Sequence, residues 1–545
     1  MSSGVRGELE AAVLAAVREL GVKEPPDLEL GRARNPNHGD YATPVAMKLA
    51  RELRRPPPKI ASDLAERLNL PPEVASIELA GPYLNFRLAE GWLQKLVGRV
   101  AADPDYGRSR MGGGERVQVE FASINPTGPI HIGHGRGVIL GDALSRLLDF
   151  TGHQVQREYY VNDQNTQARR FGASVYARLH GLEPPEGGYT GEYVAELAEQ
   201  ARRDLPGIEE LPEEEAELRL RGYAIDRMVD LIAATVSRLN VHYDEWFRES
   251  RLWDDGLPQK AIARLRETGQ LQEREGATWF APDVPGWEED DEDRVVIRSN
   301  GEPTYFASDL GYLLSKFEER GFQRVIDVWG SDHHGYIPRM KSAMAALGLD
   351  PAALVVILNQ MVNLKEGKMS KRQGRFVLLD ELVDMVGADA VRFFYLVRSP
   401  DTMMEFDLDL AVSQSNENPV YYAQYAYARL ANVDTFAAGR EMPAQPELSL
   451  LREPWELALA RQIAYWPEAV EEAARLLEPH RIPYFVHDLA DSVHAFYQAG
   501  NRDAGYRVVV DDPELMRARL ELCRAGRNTL RAALDLMGVS APDRM

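Results

Sequence analysis

The feature that most constrains this chain is a strand, loop, helix and strand that follow one another from Val117. The segment VQVEF reads as a buried strand, and a Pro/Gly-rich loop leads from it into a helix that runs to about Phe150, before the strand QVQREYY. The same alternation resumes with RVVIR, a helix near 308–320, RVIDVWG, a helix near 335–347 and LVVILN. This order is typical of a doubly wound parallel sheet, so we predict a Rossmann-like α/β fold.

The rest of the chain lies on either side of this alternation. With 545 residues the chain is too long for one core, and we expect several domains. Residues 1–108 combine helical patterns with two short strands separated by Gly81-Pro82, which indicates an α+β domain. The α/β domain then covers 109–404 with a helical, acidic insertion at about 170–290, and residues 405–545 keep helical periodicity alone.

Composition excludes several classes of protein. No stretch approaches the roughly 20 apolar residues of a membrane helix, and the N-terminal segment reads as amphipathic rather than as a signal peptide. The single cysteine, Cys523, excludes an internal disulfide and a multi-cysteine zinc site, as is typical of a cytoplasmic protein. The formal net charge of -22 does not exclude a nucleic-acid partner, because phosphate binding depends on where the cationic residues cluster.

The first of two motifs is HIGH at 131–134, which lies directly after the Pro/Gly loop at the start of the predicted helix. Free N–H groups and the macrodipole make a helix N-terminus attractive to phosphate, and Gly133 lets a nucleotide approach the backbone. His131 and His134 share one helical face because they are three residues apart. Taken alone, the pair could equally be a metal site or ordinary polar residues at a helix start.

The second motif is KMSKR at 368–372, which follows a strand and precedes an apolar segment. Taken alone, it reads equally well as a basic surface loop. Together and in this order, the two motifs resemble the signatures of class I aminoacyl-tRNA synthetases. When a carboxylate attacks the α-phosphate of ATP, negative charge builds on the phosphate oxygens, and His131, His134, Lys368 and Lys371 would stabilise it from two sides.

The segments around both motifs resemble one branch of that class, the arginyl-tRNA synthetases, over nearly the whole chain. They are GDYAT at 39–43, VEFASINPTGPIHIGHGRG at 119–137, REYYVND at 157–163, PTYFASDLGY at 303–312, VWGSDHHGY at 328–336, GKMSKRQG at 367–374, SNENPVYYAQYAYAR at 415–429 and the terminal LDLMGVSAPDRM. The resemblance implies a class I catalytic domain, an additional N-terminal tRNA-binding domain and a helical anticodon-binding domain. It also implies L-arginine, ATP with Mg²⁺ and the tRNA for arginine as substrates, with no zinc and no membrane. We expect a cytoplasmic monomer that needs bound tRNA before it activates the amino acid.

A guanidinium is a planar cation with five donors, so a selective pocket needs carboxylates and a flat wall. Tyr305 and Asp309 are four residues apart at the start of a predicted helix and face one way. By resemblance these two residues and Glu249 contact the arginine side chain. A helix cap or a surface charge would also explain either carboxylate, and core packing would explain the tyrosine. The resemblance further assigns to the amino acid Glu120, Ser123, Asn125 and His333.

The nucleotide site implied by the resemblance combines both motifs with the end of the RVIDVWG strand. Asp332 and His333 follow Gly330 there, where folds of this kind place ribose contacts. A satisfied polar pair beneath the loop is the alternative. The complete set assigned to ATP is His131, Gly133, His134, Asp332, Lys368, Ser370 and Lys371.

Two regions are candidates for tRNA contact. Tyr421, Tyr425 and Arg429 belong to a group of aromatic residues and arginine that suits stacking on unpaired bases, although the packing of a helical bundle also explains tyrosines. By resemblance, Asn85 and Phe86 contact the outer corner of the tRNA. The segment GPYLNF that contains them is one residue shorter than the family pattern.

Two other functions stay open on the sequence. A catalytically silent relative that binds tRNA as a regulator would not need two intact motifs. A class I synthetase for cysteine would need zinc-ligand cysteines, and one for glutamate would not line its pocket with carboxylates.

Overall fold

The chain forms two compact units, one made of Met1–Met111 with Gln414–Met545 and the other of Gly112–Ser413. A computed structural model describes residues 4–33, 35–284, 294–365 and 377–545. The KMSKR motif at 368–372 and the acidic run at 288–293 lie outside the described residues. No described helix is long and apolar enough to cross a membrane.

A five-stranded sheet with every pair parallel forms the centre of the second unit. Its strands lie in the order Leu354–Asn359, Arg324–Gly330, Arg116–Phe121, Gln154–Val161 and Glu245–Arg248. Arg116–Phe121, which comes first in sequence among these five strands, therefore lies in the middle of the sheet, and the later strands add on both sides of it. This arrangement creates a topological switch point where the strand carboxyl ends open a crevice for ligands. The predicted doubly wound parallel sheet is confirmed.

Both faces of the central strand are buried, as expected when helices cover a parallel sheet. Val117, Val119 and Phe121 are fully buried on one face, and Gln118 and Glu120 are buried on the other. The helix Ile132–Phe150 packs on this strand so closely that a Cβ at Gly141 would lie 2.1 Å from the Phe121 ring. Glycine is therefore required at the point where the helix crosses the sheet.

The stretch predicted as a helical insertion contains three strands that the sequence did not indicate, namely Glu245–Arg248, Leu271–Arg274 and Ala277–Phe280. Residues 170–290 supply several helices, but Glu245–Arg248 pairs in parallel with Gln154–Val161 as an edge strand of the central sheet. Its four residues are too few to show an alternating pattern inside a helical stretch.

The second unit has further elements outside the central sheet. Its remaining helices are Thr166–Leu179, Glu192–Asp204, Glu213–Arg238, Glu249–Asp254, Leu257–Glu267, Tyr305–Leu314, the π-helical Ser315–Glu319, Ile337–Ala346, Leu379–Val386, Ala388–Leu396 and Leu408–Ala411. Its remaining strands are Leu271–Arg274, Ala277–Phe280 and Arg294–Ile297, which form an antiparallel sheet, and Val362–Leu364 with Met404–Phe406, which form a parallel pair.

The first unit joins an α+β part and a helical part, as the sequence predicted for the two ends of the chain. Its antiparallel sheet has the strand order Gly31–Arg32, Tyr41–Thr43, Tyr83–Leu88 and Val74–Ala80. Its N-terminal helices are Val5–Glu19, Val45–Leu53, Pro57–Ala65 and Glu90–Ala102. Its C-terminal helices are Pro419–Ala437, Pro454–Ala464, Trp466–Leu476, Arg481–Arg502 and Pro513–Met537.

Candidate active site

A cleft of about 680 Å³ opens at the carboxyl ends of the central strands. Its walls come from the loop after Arg116–Phe121, the first turn of Ile132–Phe150, the helix Tyr305–Leu314 and the turn after Arg324–Gly330. Most of the residues predicted for the amino acid and the nucleotide line it together. They are Glu120, Ser123, Asn125, His131, Gly133, His134, Asp309, Asp332 and His333.

The two histidines lie at the N-terminus of the helix Ile132–Phe150. His131 is the N-cap, and its Nδ1 accepts a hydrogen bond of 3.2 Å from the Gly133 N–H. The two imidazole rings lie against each other with their centroids 3.7 Å apart. Burial lowers the pKa of His134 to about 4, and its buried Nδ1 has no hydrogen-bond partner among the described residues. At neutral pH, His134 is therefore an uncharged ring with an unsatisfied polar atom in the cleft wall.

The described residues that follow the second motif form backbone contacts with the first motif. The Val377 carbonyl accepts a hydrogen bond of 3.1 Å from the Ile132 N–H, and Leu378 forms an isolated β-bridge with His131. Lys368, Ser370 and Lys371 themselves lie outside the described residues. The residues just after that motif thus lie against the histidine turn.

The loop between the strand and the histidines begins with a strained residue. Ala122 has a φ of 55°, a conformation that residues other than glycine rarely adopt. This turn directs the Ser123 hydroxyl to Glu120, where it donates a hydrogen bond of 2.9 Å, while the Tyr160 N–H donates to Ser123 at 3.0 Å. Asn125 accepts a hydrogen bond of 2.8 Å from Asn165. The loop therefore holds three polar side chains in the cleft, namely Glu120, Ser123 and Asn125.

Asp309 lies in the wall of the cleft and is partly buried. Burial raises the pKa of this carboxyl to about 6, and a hydrogen bond donated by the Tyr336 hydroxyl opposes that effect. An interpretation of Asp309 as a surface charge is therefore wrong. A carboxylate with this pKa gains most when a cation arrives to pair with it.

Glu249 and Tyr305 line an adjoining pocket of about 240 Å³. The Ser308 hydroxyl donates a hydrogen bond of 2.7 Å to Glu249 Oε1, whereas the buried Oε2 has no hydrogen-bond partner among the described residues. Burial raises the pKa of Glu249 to about 7, and the nearby Asp309 contributes in the same direction. The Tyr305 ring is half exposed, and its hydroxyl donates to Thr166 Oγ1 at 3.0 Å, so Tyr305 is not a core residue.

Asp332 and His333 lie in the short helical turn that follows Arg324–Gly330. Their side chains are 81% and 62% exposed, and Asp332 Oδ2 lies 3.6 Å from His333 Nε2. The alternative of a buried, satisfied pair is therefore wrong. Both side chains line the cleft.

In the first unit, the tyrosines of the segment SNENPVYYAQYAYAR, which include the predicted Tyr421 and Tyr425, have two different environments. Tyr427 is fully buried in the helical core, whereas Tyr421 and Tyr425 are half-buried and stack with their ring centroids 5.8 Å apart. The Arg429 guanidinium lies 4.2 Å from the centre of the Tyr425 ring. Tyr425 and Arg429 line a groove of about 750 Å³, together with Phe436, Arg440, Tyr497 and Arg507.

The predicted tRNA contact through Asn85 and Phe86 is not supported by the structure. Phe86 is fully buried in the antiparallel sheet, and Asn85 is nearly buried, with its amide donating to the Glu78 carbonyl at 3.3 Å. Both belong to the inner strand Tyr83–Leu88, which has a strand on each side. The exposed apolar residues of this hairpin are Leu79 and Tyr83.

Several polar residues of the site were not singled out from the sequence, and Asp327 and Tyr312 are among them. Ser308 and Tyr336 position Glu249 and Asp309, and both lie inside the segments PTYFASDLGY and VWGSDHHGY, whose resemblance to the family is the signal that could have indicated them. Lys316 also lines the cleft, and no local pattern indicates it. In the described part of the chain, no group of three or more His, Cys, Asp or Glu residues is arranged to hold a metal ion.

Known proteins resemble this chain along its whole length. The arginine–tRNA ligase of Moorella thermoacetica is 44% identical over 98% of this chain and 97% of its own length. The arginine–tRNA ligase of Desulforudis audaxviator is 43% identical over 100% of this chain and 99% of its own length. The solved arginyl-tRNA synthetase of Thermus thermophilus superimposes with a TM-score of 0.80 at 29% identity, over 99% of this chain and 100% of that structure.

Three family profiles match three successive parts of the chain, which correspond to the N-terminal α+β part, the α/β unit and the C-terminal helices. The profile of the class I (R) tRNA synthetase catalytic domain matches residues 100–178 and 191–417. The parallel sheet, the cleft at its switch point and this match define a class I aminoacyl-tRNA synthetase. The profiles of the arginyl-tRNA synthetase N-terminal domain and of the DALR anticodon-binding domain match 7–88 and 423–545. The chain belongs to the arginyl-tRNA synthetase family.

Proposed function

We propose that this chain ligates L-arginine to its cognate tRNA in two steps, which are formation of arginyl-adenylate from ATP and transfer of arginine to the ribose of the terminal adenosine. The observation that carries this proposal is a pair of carboxylates with raised pKa values, the partly buried Asp309 and the buried Glu249. Their raised pKa values and the unsatisfied Glu249 Oε2 favour a cationic ligand with several donors. Among amino-acid side chains, the guanidinium meets that demand best, because it is planar and always charged.

The amino acid would lie between the carboxylates and the histidine turn. Asp309 and Glu249 would accept hydrogen bonds from the guanidinium, and Tyr305 would form its flat wall. At the other end of arginine, its α-ammonium would meet Glu120. Contacts with the head of the amino acid are also proposed for Ser123, Asn125 and His333.

The nucleotide would occupy the part of the cleft between the histidine turn and Asp332. The helix N-terminus at His131 and Gly133 offers backbone N–H groups to phosphate, and a neutral His134 ring can donate a hydrogen bond without desolvating a charge. Asp332 would bind the ribose. Lys368, Ser370 and Lys371 stay proposed contacts to the phosphates. Magnesium enters as part of the ATP complex, because phosphate oxygens are its preferred ligands.

The tRNA would contact the first unit in two places. Tyr425 and Arg429 border a groove with two further arginines, which suits unpaired bases that stack on aromatic rings while cations meet their phosphates. Tyr421 extends this surface through its stack on Tyr425. The exposed Leu79 and Tyr83 replace Asn85 and Phe86 as the proposed contact of the N-terminal part.

Other parts of the proposal concern the whole molecule. We assign residues 1–108 to an additional tRNA-binding domain, 109–404 to the catalytic domain and 405–545 to the anticodon-binding domain. We also propose that the enzyme is a cytoplasmic monomer. Sedimentation equilibrium would give the mass of one chain, and a mass of two chains would contradict the monomer.

The test is ATP–pyrophosphate exchange with each of the standard amino acids, with and without tRNA. We expect exchange with arginine alone, and only when tRNA is present. Exchange with a different amino acid would overturn the assignment of the substrate. No exchange with any amino acid, combined with tight tRNA binding, would favour the silent tRNA-binding relative.

A further inference from the structure

Lys316 is a buried cation that lines the cleft. It belongs to the π-helical segment Ser315–Glu319, which continues the helix that carries Asp309. Its ammonium lies 2.8 Å from Glu120 Oε2 and 3.0 Å from Asp327 Oδ1, and 4.2 Å from the centre of the Tyr312 ring. A π-helical turn widens the helix by one residue and commonly marks a functional site. Here that turn brings a lysine to two carboxylates that also line the cleft.

The two carboxylates belong to neighbouring strands and lie at paired positions. Glu120 is opposite Asp327 in the parallel ladder, and both side chains are nearly buried. Burial acts against the charge of Lys316, but the carboxylates of Asp327 and Glu120 outweigh it and raise the pKa of the lysine. With all three groups ionised, the cluster carries one lysine cation against two carboxylates. Burial raises the pKa of Asp327 to about 7, so the cluster keeps one excess negative charge at the wall of the cleft above that pH and approaches neutrality below it.

The position of Glu120 depends on this lysine. One of its oxygens is occupied by the Ser123 hydroxyl at 2.9 Å and the other by Lys316 at 2.8 Å. A carboxylate fixed from two sides and only partly neutralised can still attract a second ammonium group. The α-ammonium of an amino acid is such a group.

We propose that Lys316 is a positioning residue for amino-acid recognition, which holds the Glu120 carboxylate in place and balances its charge against Asp327, so that the cleft keeps one negative charge for the α-ammonium of arginine. This inference rests on the proposed function. Lys316 acts through Glu120 and does not touch the substrate. Its effect extends to Asp309, because Lys316 lowers the pKa of that carboxyl whereas Glu120 raises it.

Other charged and titratable groups also face this cluster. The strand beside Glu120 contributes Glu158, whose negative charge is compensated by its ion pair with Arg320. The groups around Glu120, Asp327 and Asp309 on the neighbouring elements are Glu158, Arg320, Tyr312, Tyr160, Tyr336, Arg339, Glu249 and Asp163. Lys316 is the cation that lies within hydrogen-bond distance of both Glu120 and Asp327.

The test is the pH profile of kcat/KM for arginine in tRNA-dependent pyrophosphate exchange. Lys316→Met keeps the length of the side chain and removes its charge, so Asp327 and Asp309, whose pKa values the lysine lowers, take up a proton more readily. We expect the acid limb of the profile to move up by about 1–3 pH units, because an opposite charge at this distance has an effect of that size on a carboxyl. At pH 7 the KM for arginine should rise at least about tenfold, whereas the KM for ATP should stay within about twofold. Lys260→Met is the matched control, because Lys260 is half exposed and pairs with Glu319 of the same π-helical segment at 2.8 Å.

A second variant gives the opposite sign and covers the case in which Lys316→Met does not fold. Asp327→Asn leaves Lys316 to Glu120 alone, so the acid limb should move to lower pH. A lysine that only stabilises the fold would lower the melting temperature in Lys316→Met and leave the pH of the acid limb unchanged, and that result would overturn the inference. An upward movement in Asp327→Asn would overturn it as well. Loss of the proposed function looks different, because the unsubstituted enzyme would then show no arginine-dependent exchange at any pH.

Discussion

Asp309→Asn removes one negative charge from the end of the cleft that we assign to the guanidinium, and it keeps the shape of the side chain. Two unit charges about 4 Å apart interact by about 4 kcal/mol at an effective dielectric constant of about 20. Tyr336 donates to one Asp309 oxygen, so the amide of an asparagine can either keep that acceptor or turn its own N–H groups toward the ligand. If the amide dipole recovers about 1 kcal/mol, the net loss is about 3 kcal/mol, which is a factor of about 10² in arginine affinity.

The assay is tRNA-dependent pyrophosphate exchange at pH 7.5, with arginine and ATP varied in turn. We expect this loss of affinity to appear as a higher KM for arginine, with the KM for ATP unchanged, because the proposed nucleotide contacts lie at the histidine end of the cleft. Glu319→Gln is the control, since it removes a half-exposed carboxylate a few turns along the same helical run and should change either KM by less than about twofold. An arginine KM within about threefold of the unsubstituted enzyme would refute the reasoning.

Three further predictions test other parts of the structure. Arginine binding between pH 6 and 7 should release protons, because Glu249 with a pKa of about 7 and Asp309 with a pKa of about 6 are partly protonated there and the guanidinium favours their ionised forms. Titration calorimetry in two buffers with different ionisation enthalpies would measure the number of protons released. A binding enthalpy that does not depend on the buffer would contradict this prediction. Arg429→Ala should raise the KM for tRNA about tenfold and leave exchange at saturating tRNA unchanged, whereas an unchanged KM for tRNA would remove Arg429 from the interface. Arg519→Met leaves the fully buried Glu456 without its partner at 2.6 Å, so urea unfolding of the C-terminal helices should show a loss of about 3–5 kcal/mol, and a loss below about 1 kcal/mol would contradict that.

The fold was predictable where its signals are local. The strand Arg116–Phe121 and the helix Ile132–Phe150 show their type within a few residues, because a buried run, a Pro/Gly loop and an apolar helix follow each other in order. The edge strand Glu245–Arg248 was missed because it is short and lies within a helical stretch. The orientation of Phe86 was also missed, since strand alternation does not reveal which face of the hairpin is inward.

The site was predictable only where its residues lie in contiguous motifs. His131 and His134 share one turn, and Tyr305 and Asp309 share another, so their spacing already indicated a common face. The contact between Lys316 and Glu120 joins residues 196 positions apart, and the contact between Ser308 and Glu249 joins residues 59 apart. No sequence pattern records such pairs, because the topology of the sheet brings them together.

The proposed recognition of arginine depends on the two carboxylates Asp309 and Glu249. A comparison of arginine with citrulline tests this assignment most directly. Citrulline keeps the length and planarity of arginine, but a neutral ureido group replaces its guanidinium. In tRNA-dependent pyrophosphate exchange at pH 7.5, we expect kcat/KM for arginine to exceed that for citrulline by about 10³ or more, because the neutral group leaves Asp309 and Glu249 without a cationic partner. Equal values of kcat/KM for the two amino acids would contradict the assignment of both carboxylates to the guanidinium.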